Sequence, residues 1–179
     1  MTVSATDSGI DVAYWFIQRA EKDNAFIENE KLHHLLFAAQ LAYARKHNGS
    51  VLMPSLFIVD ENGFSEPNIL KMFSLGRPYM PPVKLENNIA AFLENVWQKY
   101  EKATAGTMEK QIKASEAYKQ NYKKGEKKVV NITEIADLFA APANSAPVGK
   151  KKMLISQNGP VMVSQWTPRK LTSPVRKGF

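Results

Sequence analysis

The chain contains no cysteine. That excludes a disulfide framework, thiolate metal sites and a cysteine nucleophile together, and it fits a reducing compartment. Long apolar runs are missing as well. No window approaches the roughly 18 uninterrupted apolar residues that a membrane span needs, so no membrane partner is expected. The opening stretch MTVSATDSGIDVAYWFIQRA has no basic segment ahead of a clean apolar run, so no signal peptide is predicted and the expected location is cytoplasmic. Without secretion, the Asn131-Ile132-Thr133 sequon carries no meaning. The motifs G-x-S-x-G, G-x-x-x-x-G-K-[ST] and G-x-G-x-x-G are absent too, and no enzyme is expected.

Acidic residues stop at Asp137. Beyond it lie Lys150, Lys151, Lys152, Arg169, Lys170, Arg176 and Lys177, which account for the whole net charge of +7. Residues 1–137 are neutral overall. A nucleic-acid-binding body would carry a basic stripe of its own, so the tail is the better candidate for phosphate contacts. Its lysines and arginines stand near Trp166, which could stack a base.

What is present is a helical pattern. Hydrophobic residues make up 44% of the 179 and aromatics 10%, enough for a core. Ser8 and Asp11 have capping-box spacing ahead of Val12, Ala13, Phe16, Ile17 and Ala20, which recur at helical steps. A second helix is predicted from an Asn29 N-cap to a Gly49 stop, with Leu32, Leu35, Leu36, Ala39 and Tyr43 on its buried face. Leu56–Val59 reads as a short strand ahead of an Asn62-Gly63 turn. Ser65-Glu66-Pro67 opens a short helix through Phe73, and the prolines of GRPYMPP (76–82) mark a loop. Ile89, Phe92, Leu93, Val96, Trp97 and Tyr100 form one helical face. A fifth helix starts near Thr104, carrying Met108, Ile112, Ser115 and Tyr118 inward. KQNYKKGEKK (119–128) reads as a basic turn, and a sixth helix opens at Asn131.

The expected fold is therefore mainly α: a single domain of about six helices with a small β element over residues 1–140. An Ala/Pro-rich linker follows at 141–149 and a basic tail at 150–179. Residues 153–164 of that tail, MLISQNGPVMVS, carry a hairpin signal around Asn158-Gly159.

Three side chains on the second helix draw notice. His33 and His34 are about 100° apart on a helix and lack the i, i+4 spacing of a shared metal. One is expected to be exposed and the other to sit at the helix boundary. Gln40 falls on the inner side, where a buried amide needs a backbone or bound-chain partner. Lys31 sits at the helix start, where the dipole disfavours a cation, and points to a carboxylate partner. A helix-turn-helix is disfavoured, because the polar break between the first two helices is too long and Lys31, Arg45, Lys46 and His47 cluster at the helix ends.

Asp11-Val12-Ala13, then Lys31, Leu32, Leu35, Leu36, Phe37, Ala39 and Gln40, then Trp97 and Tyr100, and finally the Thr104–Tyr118 helix, run in an order that resembles the Panacea domain of phage-associated antitoxins. The resemblance spans roughly residues 8–140. His34 stands at a family lysine, FIVDENGFSEPNI replaces a Trp and Gly-Pro-Val segment, and MEKQIKASEAY replaces a His-containing motif. The chain thus reads as a divergent member. The resemblance implies a protein–protein interaction module with no active site, metal or cofactor. It would bind and neutralise a cognate toxin, directly or as an adaptor to an AAA+ protease. Partner contact is expected at Lys31, His34 and Gln40 in the body and, from the charge of the tail, at Lys150, Lys151, Lys152, Trp166, Arg169 and Lys170. The other reading is a nucleic-acid-binding regulator that works through the tail.

Overall fold

A computed structural model describes residues 4–132 and the backbone of 153–156 and 159–162. It divides into two units, Met1–Asn144 and Ser145–Phe179. In the first, the described residues form helices α1 (Gly9–Lys22), α2 (Asn29–Lys46), α3 (Pro67–Met72), α4 (Asn87–Tyr100), α5 (Ala105–Ala114) and α6 (Glu116–Asn121). They also form strands β1 (Phe57–Asp60), β2 (Gly63–Ser65) and β3 (Lys128–Val130). The strands make one antiparallel sheet in the order β2-β1-β3. In the second unit, β4 (Met153–Ser156) pairs antiparallel with β5 (Gly159–Met162). The predicted linker 141–149 lies outside the described residues.

α2 is the centre of the fold. Its buried residues run round the helix, from Lys31 through Phe37 and on to Ala39, Gln40, Leu41 and Ala44. A helix buried on most faces has neighbours on most sides, and α1, α4, α5 and β2 all pack against it. Phe37 stacks on Phe64 of β2 with ring centroids 4.1 Å apart and meets Phe57 of β1 edge-on at 5.5 Å.

The helix ends follow capping chemistry. Ser8, Thr104 and Ser115 each accept a backbone N–H of the turn that follows. Glu66, 2% exposed, caps α3 through the Ile69 N–H, with Pro67 in its first turn. α1 and α2 stop alike. Asn24 (φ +53°) and Asn48 (φ +51°) turn left-handed, and the next residues, Ala25 and Gly49, donate back to Ala20 O and Ala44 O. The predicted stop residue of α2, Gly49 (φ +86°), is left-handed too, one position after Asn48. At the other end, Asn29 is already helical and Glu28 is the cap position.

Three further expectations change. The strand lies one residue later than Leu56–Val59, because Leu56 is exposed while Phe57 fills the core. Its Asn62-Gly63 turn leads into β2, with Asp60 Oδ1 accepting the Asn62 N–H at 2.9 Å. The predicted fifth helix breaks at Ser115, whose backbone is extended and whose hydroxyl caps the Tyr118 N–H to start α6. Part of the predicted basic turn is the end of α6, and Lys128–Val130 is a strand. Beyond Ile132, the predicted sixth helix falls outside the described residues.

Candidate functional site

α2 carries both histidines inward. His33 is 6% exposed and His34 3%, so the expectation of one exposed ring and one boundary ring is wrong. The reason is the β1–β2 hairpin, which covers that side of α2 and which a single predicted strand could not supply. His33 Nδ1 accepts the Glu66 N–H at 3.3 Å, and His34 Nε2 meets the Asn62 carbonyl at 3.3 Å. Burial, and after it the neighbouring His34, hold the His33 imidazole down to about 4. Burial also lowers His34, against the partial support of the Asn62 carbonyl and Glu109. Both rings are therefore neutral at pH 7. Among the described residues no group of three His, Asp or Glu side chains is placed to hold a metal ion.

Two cavities meet at His34. One, about 250 Å³, lies on the hairpin side between His33, Asp60, Asn62, Ser65 and Leu70. The other, about 260 Å³, lies between α2, α4 and α5. Its apolar wall is Phe37, Leu41, Met108 and Ile112. Arg45, Lys99 and Gln111, all exposed, form its rim, and no acidic residue lines it. A Cβ placed on Gly63 would lie 3.4 Å from His34 Nε2 and 3.8 Å from its Cδ2. That ring edge thus faces the hairpin, and a backbone hydrogen bond with Ala105 also favours the protonated ring, against burial.

Lys31 and Gln40 spend their polar atoms inside the fold. Lys31 Nζ donates to the Glu101 carbonyl at 2.8 Å and lies 5.5 Å from the centre of the Trp97 ring. Its partner is thus a helix-end carbonyl and an aromatic face, where a carboxylate was expected. The carbonyls at the end of α4 attract a cation as a carboxylate would. Gln40 Oε1 accepts the Met53 N–H at 3.1 Å, which ties the α2–β1 connection to the core. Lys150, Lys151, Lys152, Trp166, Arg169 and Lys170 lie outside the described residues.

The outer surface has a feature that the sequence pattern did not single out. The loop after α3 exposes Leu75 fully and Tyr79 at 92%, and Phe26 stands out at 77%. Arg77 lies with its guanidinium 4.5 Å from the Phe26 ring centre, and its Nη2 is buried with no hydrogen-bond partner. α1 holds this loop in place. Tyr14 Oη donates to the Pro78 carbonyl, Gln18 Nε2 donates to Pro81 O, and Gln18 Oε1 accepts the Val83 N–H. The apolar tips point outward from a pinned backbone. The signal in the sequence was Leu75 and Tyr79 themselves, apolar residues within a Gly/Pro loop.

The chain matches no known protein family, no curated protein and no solved structure. Among the described residues no helix is long and apolar enough to cross a membrane.

Proposed function

We propose that the chain is an antitoxin-like interaction protein that binds and neutralises a partner toxin, by direct contact or by delivery to an AAA+ protease. The observation that supports this is the pinned patch of Phe26, Leu75 and Tyr79 around Arg77. Grouped large apolar residues on a surface mark sites of protein contact, and Arg and Tyr are favoured at the centres of such contacts. The partner surface that fits is apolar.

The test is co-expression with the toxic protein recovered on the tagged full-length chain. Leu75→Glu together with Tyr79→Glu places two charges on exposed tips. It is expected to weaken partner binding at least about tenfold while leaving the fold intact. Growth rescue should fail with the double variant. Undiminished binding and rescue would remove the patch from the interface.

A second reading rests on the charge distribution, since the whole net charge of +7 lies beyond Asp137. It makes the tail a nucleic-acid contact. Binding of a duplex of arbitrary sequence should then fall steeply with salt and vanish when 141–179 are deleted. Salt-independent binding, or binding kept after the deletion, excludes this reading.

A further inference from the structure

We infer that the cavity between α2, α4 and α5 is a binding site for a small organic anion, an apolar body with one charged head. The space begins in the sequence of α2. Ala38 and Ala42 both line the cavity, and four residues apart they stand one above the other on the helix. A methyl group at each position leaves a gap, which α4 and α5 border with larger side chains, Tyr100, Met108 and Ile112. The gap holds about 260 Å³, just under the usual size of a small-molecule pocket. Both alanines are only half-buried, so their side of α2 is reached from solvent.

The lining sets the character of the occupant. Phe37, Leu41, Met108 and Ile112 are buried and offer apolar atoms, which fit an apolar body. The charged residues of the lining are Arg45 of α2 and Lys99 of α4, both exposed at the rim. Neither has an ion-pair partner among the described residues. Lys99 Nζ lies 5.1 Å from the centre of the Tyr100 ring, which also lines the cavity. No carboxylate lines it, whereas the hairpin-side cavity carries Glu30 and Asp60. Glu109, next to Met108, is taken by Lys113 at 2.5 Å. Residues 1–137 are neutral overall, so two cations without an acid at one apolar mouth are a local feature. They favour an anionic head and disfavour a cationic one. The site draws on none of the residues of the Arg77 patch, and it stands whether or not the chain binds a toxin.

The experiment is titration of the full chain with octanoate, octanol and octylamine, which share one tail and differ in the charge of the head. Binding is read on the Met108 methyl resonance in protein labelled at the methionine methyls. Octanoate is expected to bind about fivefold tighter than octanol, the scale of an ion pair at an exposed rim, and octylamine more weakly than either. Arg45→Gln with Lys99→Gln changes only exposed side chains and should bring octanoate to within about twofold of octanol. Ala38→Leu fills the space and should weaken octanoate at least about tenfold, with a thermal midpoint no lower than that of the wild type. Ala42→Leu does the same from one turn along and replaces it if Ala38→Leu lowers the midpoint. Octylamine binding as tightly as octanoate overturns the assignment. So does a preference for octanoate that survives the double rim substitution, undiminished affinity in a folded leucine variant, or a Met108 resonance unmoved by all three probes at millimolar concentration.

Discussion

Trp97→Ala is expected to destabilise the helical body by about 3–5 kcal/mol, the usual cost of emptying a large aromatic site in a core. The indole is 1% exposed and does three things at once. It fills the space under α1 and α2. Its face lies 5.5 Å from Lys31 Nζ. Its Nε1 donates to Asp23 Oδ2 at 2.9 Å. Asp23 in turn pairs with Arg19 at 2.6 Å, and Arg19 grips Glu94 of α4 through two nitrogens at 2.7 and 2.9 Å. One ring therefore joins the starts and ends of three helices. Against a typical total stability of about 5–15 kcal/mol, its loss should lower Tm by about 10–15 °C, read by circular dichroism. Trp97→Phe keeps a ring and removes only the N–H donor, and should cost about 1–2 kcal/mol. Leu75→Ser, at a fully exposed position, should move the midpoint by less than about 0.5 kcal/mol. Equal midpoints for Trp97→Ala and the wild type would remove the indole from the core.

The helices were legible because burial on one side writes a period into the sequence. Ile89, Leu93, Val96 and Trp97 are the buried residues of α4, and each sits on the stripe that the 3.6 period marks. α2 was harder. Its burial runs round the helix, and a helix enclosed by neighbours has no polar face to set its phase. This is why one of His33 and His34 read as exposed and the other as a boundary residue. The sheet was least legible. β2 and β3 have three residues each, too few for an alternation to register, and β3 joins β1 from across the chain. The break at Ser115 had a local sign, a serine followed by Glu116, which is helix-start chemistry inside what read as one helix.

The candidate site was legible in pieces. Gln40 was singled out because a buried amide demands partners, and Lys31 because the dipole disfavours a cation at a helix start. The structure supplies backbone ones, the Glu101 carbonyl and the Met53 N–H. The stripe of His34, Phe37, Ala38, Leu41 and Arg45 was available in the spacing of α2, but its significance needed Lys99 and Met108 from two other helices. A cavity belongs to the packing of several elements, and no single period reports it. Arg77 was equally hidden, since its guanidinium lies over Phe26, far from it in the chain.

Acid should unfold this body early, and His33 should be the main cause. Free imidazole titrates near 6.5, while the folded His33 is held down to about 4 by burial and then by His34, with Glu30 and Asp60 opposing. Between those two values the unfolded chain binds the proton and the folded one does not. Stability therefore rises with pH across that window. The contribution is complete above about pH 6.5 and is lost as pH falls toward 4. The shift corresponds to about 3 kcal/mol, and His34, lowered in the same direction, adds to it. Geometry gives the same sign. His33 Nδ1 accepts the Glu66 N–H, and a proton on that nitrogen would set two donors against each other where Glu66 starts α3. The carboxylates of Asp23 and Glu94, lowered first by their hydrogen bonds to Arg19, lose their contribution only at still lower pH. His33→Gln offers an amide oxygen to the same N–H and cannot titrate. Urea midpoints at pH 7.5, 5.5 and 4.5 should fall steeply in the wild type and much less in the variant, with the two curves converging in slope above pH 6.5. Parallel curves through the whole range would mean that His33 is protonated in the folded state at ordinary cost. The hairpin would then leave it open to water, where burial now keeps it neutral.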